Sequence, residues 1–349
     1  MATARRKKIA PHVAEALARY RALSQARQLQ VLSELLETRA HELMLAYDGV
    51  IRVGLGWRRR RDRRGHGTVC WHEIPGVLFM VKRKWRKGSA ERPGKIPRHL
   101  LAYATNARGK RVLVAVPTDV DSAAWMNTAR AEAGIRAYPA NSLIINNGEV
   151  CTVVQRSDQP GTRYGLSCRH VLSFGVLAAF SCDGVSDADS RIGSVTGNRG
   201  ANSGPNPLDA QLFRITDAAA ALPSHTKFAR SEAEVRIPLR HHAPSLDDAS
   251  SKVSYRGLWK ASADSSIDAK SWMFGGELLE IDLPGDRTQP GESGSPVTSM
   301  DNRTLIGMHI GSANSKHVNG FVSICVPAWR LMEAKNFSNV PAGVAWRLS

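Results

Sequence analysis

The chain is poor in cysteine: five residues in 349, Cys70, Cys151, Cys168, Cys182 and Cys325. Their number is odd and no two form a C-x-x-C pair, which argues against a disulfide framework and against a zinc site. A reducing, cytoplasmic setting is the one expected of such a chain. No apolar run approaches the ~18 residues that a membrane-spanning helix requires. The basic start, Arg5-Arg6-Lys7-Lys8, is not followed by an apolar stretch, so a secretory leader is not expected. There is no internal repeat, and neither a zinc-finger nor an RNP signature for nucleic-acid readout.

What is present divides unevenly. The length favours two domains or more, and a hydrophobic content of 42% is ample for packed cores. Residues 1–134 hold 27 Lys+Arg against 11 Asp+Glu, a net of +16, whereas residues 135–349 hold 21 against 20, a net of +1. Almost the whole formal charge of +17 therefore sits in the first part.

Ala10 to Ala46 lacks glycine and repeats apolar residues at helical spacing (Val13, Leu17, Tyr20, Leu23; Leu32, Leu35, Leu36, Leu43). It is expected as one long helix or two shorter ones packed by that stripe, making 1–47 a helical segment. Val50–Gly56, Gly76–Val81 and Arg111–Pro117 read as strands of a small basic α+β domain over 48–134. Its basic run Trp57–Gly65 is expected as a loop, and Asp119–Ala140 as the connection onward. From 135 to 349 short strands alternate with Gly, Ser, Asn and Pro every 8–12 residues, the pattern of an all-β sandwich or barrel. The chain as a whole is expected to be mainly β.

One segment of this second part carries chemistry. Gly291-Glu292-Ser293-Gly294-Ser295-Pro296 sets a serine between glycines, suiting a hydroxyl on a tight turn whose backbone N–H groups can also bind an oxyanion. A serine needs a base, and His170 in Ser167-Cys168-Arg169-His170-Val171 is the candidate. The base needs a carboxylate to orient it. Asp209, at the head of the alternating strand Ala210–Ile215, is preferred to Asp183, Asp187 and Asp189 in a polar loop.

These three segments, in the order His, Asp, Ser, resemble the chymotrypsin-like (trypsin-like) serine peptidases, in the bacterial style, over roughly 135–330. The resemblance implies two six-stranded antiparallel barrels with the site in their cleft, His170, Asp209 and Ser293 as catalytic residues, and the N–H groups of Gly291 and Ser293 as oxyanion hole. It implies no metal and no cofactor. Thr288, five residues before the serine, and His309 in Gly307-Met308-His309-Ile310-Gly311 are similar to the pocket residues of the family's glutamate-specific bacterial members. Both can donate to an acid or amide oxygen, so cleavage after Glu or Gln is expected, with Arg287 adding positive charge. Glu292 stands where animal members carry an Asp that pairs with a new N-terminus, and that activation route is not expected here; Glu292 reads as structural. Seven other histidines, His66, His72, His99, His225, His241, His242 and His317, read as surface or structural.

The function expected is a serine endopeptidase acting on protein substrates in regulatory proteolysis. The competing reading is an inactive peptidase fold that binds nucleic acid or an acidic partner through Arg58–Arg64 with Trp57 and Lys82–Lys87 with Trp85.

Overall fold

The computed structural model describes residues 10–47, 49–61, 69–81, 96–106, 109–122, 126–127, 144–145, 148–172, 177–182, 185–200, 208–216, 222–235, 238–262, 277–283, 288–289, 291–315 and 320–349. They fall into two compact units, Met1–Ala123 and Ala124–Ser349.

In the first unit the helical stripe forms two helices, α1 (Pro11–Arg21) and α2 (Gln25–Leu45). Pro11 is tolerated because a first-turn residue has no intrahelical donor to lose. Between them Ser24 caps α2, its hydroxyl accepting from the Arg27 N–H at 3.4 Å. α1 buries Ala16, Leu17 and Tyr20, and the Tyr20 hydroxyl donates to the Pro75 carbonyl at 3.1 Å. α2 buries Leu29, Leu32, Leu36 and Leu43 against the sheet. That sheet comprises β1 (Val50–Arg61), β2 (Val69–Val81), β3 (His99–Thr105) and β4 (Arg111–Ser122) in the order β1-β2-β4-β3. β2 runs parallel to β4, and the other neighbours are antiparallel.

Three expectations are corrected. β1 continues through Arg61, so the first half of the basic run extends a hairpin with β2 and is not a loop. β4 continues through Ser122, into what reads as connection. β3 was not anticipated; its residues alternate buried and exposed, but in a run of seven flanked by basic residues the period is easily overlooked. These helices and strands belong to one compact unit, Met1–Ala123. The side chains of Arg58–Arg64 and all of Lys82–Lys87 lie outside the described residues.

The second unit carries β5 (Met126–Asn127), β6 (Ile144–Ile145), β7 (Gly148–Glu149), β8 (Thr152–Arg156), β9 (Gln159–Ser167), the one-turn helix α3 (Arg169–Leu172), β10 (Leu177–Cys182), β11 (Val185–Arg199) and β12 (Gln211–Ile215). Then come β13 (Lys227–Phe228), β14 (Leu239–His241), β15 (Lys252–Ser262), β16 (Leu278–Leu283), β17 (Pro296–Ser299), β18 (Thr304–Ser315), β19 (Gly320–Pro327), α4 (Ala328–Leu331) and β20 (Trp346–Leu348). Six of these strands close into an antiparallel barrel, β14-β17-β18-β19-β16-β15 and back to β14. β5 and β13 pair with β18, and the remaining eight form an antiparallel sheet, β20-β8-β9-β12-β11-β10-β6-β7. Among the described residues no pairing joins its two ends, so they show one closed barrel and, beside it, this sheet. The chain is mainly β, as the turn spacing predicts.

The strands of the closed barrel bury Trp259, Leu279, Ile281, Val297, Leu305, Met308 and Ile310, each no more than 1% exposed. They also bury charge. Arg256 and Glu280 pair with only 6% and 3% of their side chains exposed, and Trp259 Nε1 donates to Glu280 Oε2 at 2.8 Å. Removing one member of a buried pair strands the other without compensation. Arg256→Met is therefore expected to lower unfolding stability by roughly 3–5 kcal/mol in urea titration, far more than loss of an exposed pair.

Candidate active site

The site begins with strand pairing. β9 and β12 are antiparallel, with Gln211 opposite Ser167. This pairing brings the residues just before β12 alongside those just after β9, and Asp209 meets His170 across it. Asp209 Oδ2 lies 2.6 Å from His170 Nδ1, and Oδ1 accepts the His170 backbone N–H at 3.1 Å. One carboxylate thus holds both ring and main chain. A carboxylate accepts, so the shared proton belongs to Nδ1, and Nε2 is left with its lone pair. Nε2 is buried and has no hydrogen-bond partner among the described residues.

Ser293 stands on the turn between Thr288 and β17. Gly291 and Gly294 take φ of 95° and 105°, in the left-handed region that glycine adopts without a Cβ penalty. At Gly294 a Cβ would also lie 2.0 Å from the Glu149 carbonyl oxygen. The turn is pinned by Glu149 N–H to the Ser293 carbonyl at 2.7 Å and Gly294 N–H to the His309 carbonyl at 2.8 Å. That same His309 carbonyl accepts the Cys168 thiol at 3.3 Å, so the approach to His170 and the serine turn converge on one acceptor. Ser293 is 1% exposed, and its Oγ, like His170 Nε2, is buried without a partner among the described residues; the two do not hydrogen-bond each other. Among the described residues the N–H groups of Gly291 and Ser293 donate to nothing.

The expected pocket residues are both buried, Thr288 at 2% and His309 at 0% exposed. Among the described residues Thr288 Oγ1 and His309 Nε2 are buried without hydrogen-bond partners. A chain of hydrogen bonds fixes the His309 tautomer. The Ala243 N–H donates to His241 Nδ1 at 3.1 Å, so His241 carries its proton on Nε2. Nε2 then donates to Ser323 Oγ at 3.0 Å, and the Ser323 hydroxyl, 2.6 Å from His309 Nδ1 and 3.2 Å from Cys325 Sγ, gives its proton to the stronger acceptor, the imidazole nitrogen. His309 is thereby left with an N–H at Nε2 and nothing to give it to. The two rings pack edge to face at 4.9 Å between centroids. His241 read as surface or structural from sequence; it is 0% exposed and sets the proton on the pocket histidine. Ser323 was missed. Both come from strands remote in sequence, β14 and β19, so no local spacing reveals them. His225 and His242 bond Thr152 and Thr298 at 2.9 Å each. Arg287 lies outside the described residues, as do His66 and His317 and the side chain of His72.

Electrostatics separates the two central imidazoles. For His170 burial disfavours the charged ring, but the Asp209 charge and hydrogen bond together outweigh it and the pKa rises above 6.5. For His309 burial, reinforced by His170, pushes the pKa down to about 3, leaving a neutral ring. Glu292 is 0% exposed and structural, as its sequence position suggests: its carboxylate accepts from the Ser245 N–H at 2.6 Å and the Ser245 hydroxyl at 2.9 Å. Cys168, His170 and Asp209 bring potential ligand atoms within 4.8 Å of one another. Burial raises the Cys168 thiol pKa well above its usual value, so the thiolate a metal would require is disfavoured there.

The folded pKa of His170 exceeds the unfolded 6.5, so protonated His170 favours folding. That contribution is complete below pH 6.5 and disappears as pH rises through the folded value. Histidine NMR titration is expected to give His170 a midpoint above 6.5, and Asp209→Asn should move it down; an unchanged midpoint would contradict the pairing.

No family model matches the chain, and no curated protein matches it. Among solved structures it is similar to "Alpha-lytic protease homolog N4", with 15% identity and a TM-score of 0.37, covering 58% of this chain and 97% of that one.

Proposed function

We propose that the chain is a serine endopeptidase in which Ser293 attacks the scissile carbonyl, His170 takes and returns its proton, and Asp209 orients the ring. The observation that carries this reading is the pair of buried, unpartnered atoms, Ser293 Oγ and His170 Nε2, on a histidine whose other nitrogen is bound to Asp209 at 2.6 Å. Buried polar atoms without partners are uncommon in folded proteins and concentrate where a ligand completes the bonding. The uncommitted N–H groups of Gly291 and Ser293 suit the oxyanion of a tetrahedral intermediate, where each donor lowers the barrier by ~3–4 kcal/mol.

Cleavage after Glu or Gln is supported by the His309 Nε2–H and Thr288 Oγ1, two unsatisfied donors in the expected pocket. A neutral imidazole attracts a carboxylate and an amide oxygen through the same N–H, so the pocket accepts both and excludes Lys and Arg. Regulatory proteolysis remains our reading, because a large basic unit accompanies the peptidase part.

Labelling by a fluorophosphonate probe tests the reading. Wild type should be labelled, and Ser293→Ala should not. Asp209→Asn should slow labelling by about 10⁴-fold, the cost of the wrong tautomer. No wild-type labelling, combined with salt-sensitive binding of DNA or RNA, would instead favour the scaffold. In a peptide library His309→Leu should lower kcat/KM for Glu and Gln peptides by about 10²-fold or more, by leaving the substrate oxygen unpaired. Cleavage of the wild-type library after Arg, Lys or large apolar residues would remove the pocket assignment.

A further inference from the structure

The sheet of the first unit ends in a strand with an open side. Among the described residues β3 (His99–Thr105) pairs with β4 alone and lies last in the order β1-β2-β4-β3. Its seven residues meet Arg111–Pro117 in unbroken register. Leu100, Ala102 and Ala104 are buried, and α2 packs against the strand. On the opposite face Leu101 and Tyr103 are 45% and 55% exposed.

Two bonds at the ends of the β3–β4 ladder fix which main-chain groups turn outward. The Thr118 N–H donates to the Arg98 carbonyl at 3.0 Å, and the Asn106 N–H donates to the Lys110 carbonyl at 2.9 Å. In an antiparallel pair the residues that exchange hydrogen bonds alternate with those that do not. Arg98 and Asn106 share one parity, so Leu100, Ala102 and Ala104 bond β4, while His99, Leu101, Tyr103 and Thr105 turn their N–H and C=O groups to the open edge. The facing strand agrees. Opposite His99 stands Pro117, which has no N–H to give. Opposite Tyr103 the Leu113 carbonyl points away from β3 and accepts from Arg19 Nη1 at 3.4 Å.

Natural edge strands are blunted against unwanted pairing by charge, proline or a bulge. From Leu100 to Ala104 β3 has none of these. Cations stand at its ends instead: Arg98 before it, and Lys110 and Arg111 beside its last residue, all exposed. The Arg111 guanidinium lies 4.3 Å over the centre of the Tyr103 ring. Between Glu91 and Asp119 the chain holds Arg92, Lys95, Arg98, Arg108, Lys110 and Arg111 and no acid. A second copy of the chain would bring like charges to the edge, whereas a strand with acidic ends would meet them with the opposite sign. Nucleic acid matches the charge but has no row of amide N–H and C=O groups to pair with β3.

We propose that the β3 edge docks an extended acidic segment of a partner protein, which adds a strand to this sheet. Its main chain bonds His99, Leu101, Tyr103 and Thr105, its apolar side chains cover Leu101 and Tyr103, and acids at its ends face Arg98, Lys110 and Arg111. The docking holds whether or not Ser293 is a nucleophile.

The test uses the full chain carrying Ser293→Ala, so that no peptide is cut, and a fluorescent peptide with two glutamates at each end and alternating valine and threonine between them. Fluorescence anisotropy should show binding that weakens as salt rises, and by about tenfold or more when lysines replace the glutamates. Leu101→Pro removes an outward N–H and no bond to β4, so it should keep the circular dichroism of the parent and raise Kd about tenfold or more. A second arm leaves the protein untouched. Methylating every second peptide nitrogen should abolish binding in one phase and spare it in the other, because only alternate N–H groups of the added strand face β3. Binding indifferent to methylation in both phases, or unchanged by Leu101→Pro in a folded protein, would overturn the proposal. So would a peptide that does not bind, including the cases in which the edge instead takes nucleic acid or a second copy of the chain.

Discussion

A single carboxylate, Asp209, decides what the site can do. By binding the ring and the main-chain N–H of His170 together, it leaves His170 one tautomer and one free nitrogen. Without it the imidazole would be a buried, weakly basic ring, since burial alone lowers its pKa. The rest of the unit serves that contact. The β9–β12 register delivers it, and the His309 carbonyl gathers the serine turn and the Cys168 approach around it.

The same economy appears in the pocket. Three polar groups, His241, Ser323 and His309, form a relay that begins with a backbone N–H that cannot be reversed. The relay ends in a donor aimed at nothing. Two unsatisfied hydrogen-bonding groups in a pocket are costly in the empty protein, by about 1–3 kcal/mol each, and a substrate oxygen that satisfies them recovers that cost on binding. Under the proposed function, specificity for an acid or amide side chain needs no cation beside His309.

Much of this was legible in the sequence, for a physical reason. The glycines around Ser293 are demanded by left-handed backbone, the alternation of Gln211–Ile215 by a half-buried strand, and the break in charge by two units of different surface. The strand positions of 148–327 follow from turn residues at regular spacing. What escaped depends on contacts between remote segments. His241 looks like any histidine until β14 is placed across the barrel from β19. Closure of a second barrel was an inference from resemblance and is absent among the described residues. The extension of β1 into the arginine run was hidden because a row of Arg gives no alternation of polarity to read.

The most direct test of the account is a crystal structure of the full chain with a peptide aldehyde that ends in glutamate. The account predicts a covalent bond from Ser293 Oγ to the former aldehyde carbon, the new oxygen within hydrogen-bond reach of the Gly291 and Ser293 N–H groups, His170 Nε2 beside Oγ, and the glutamate side chain at His309 Nε2. A peptide bound elsewhere, or an unmodified Ser293 in a crystal saturated with the aldehyde, would contradict it.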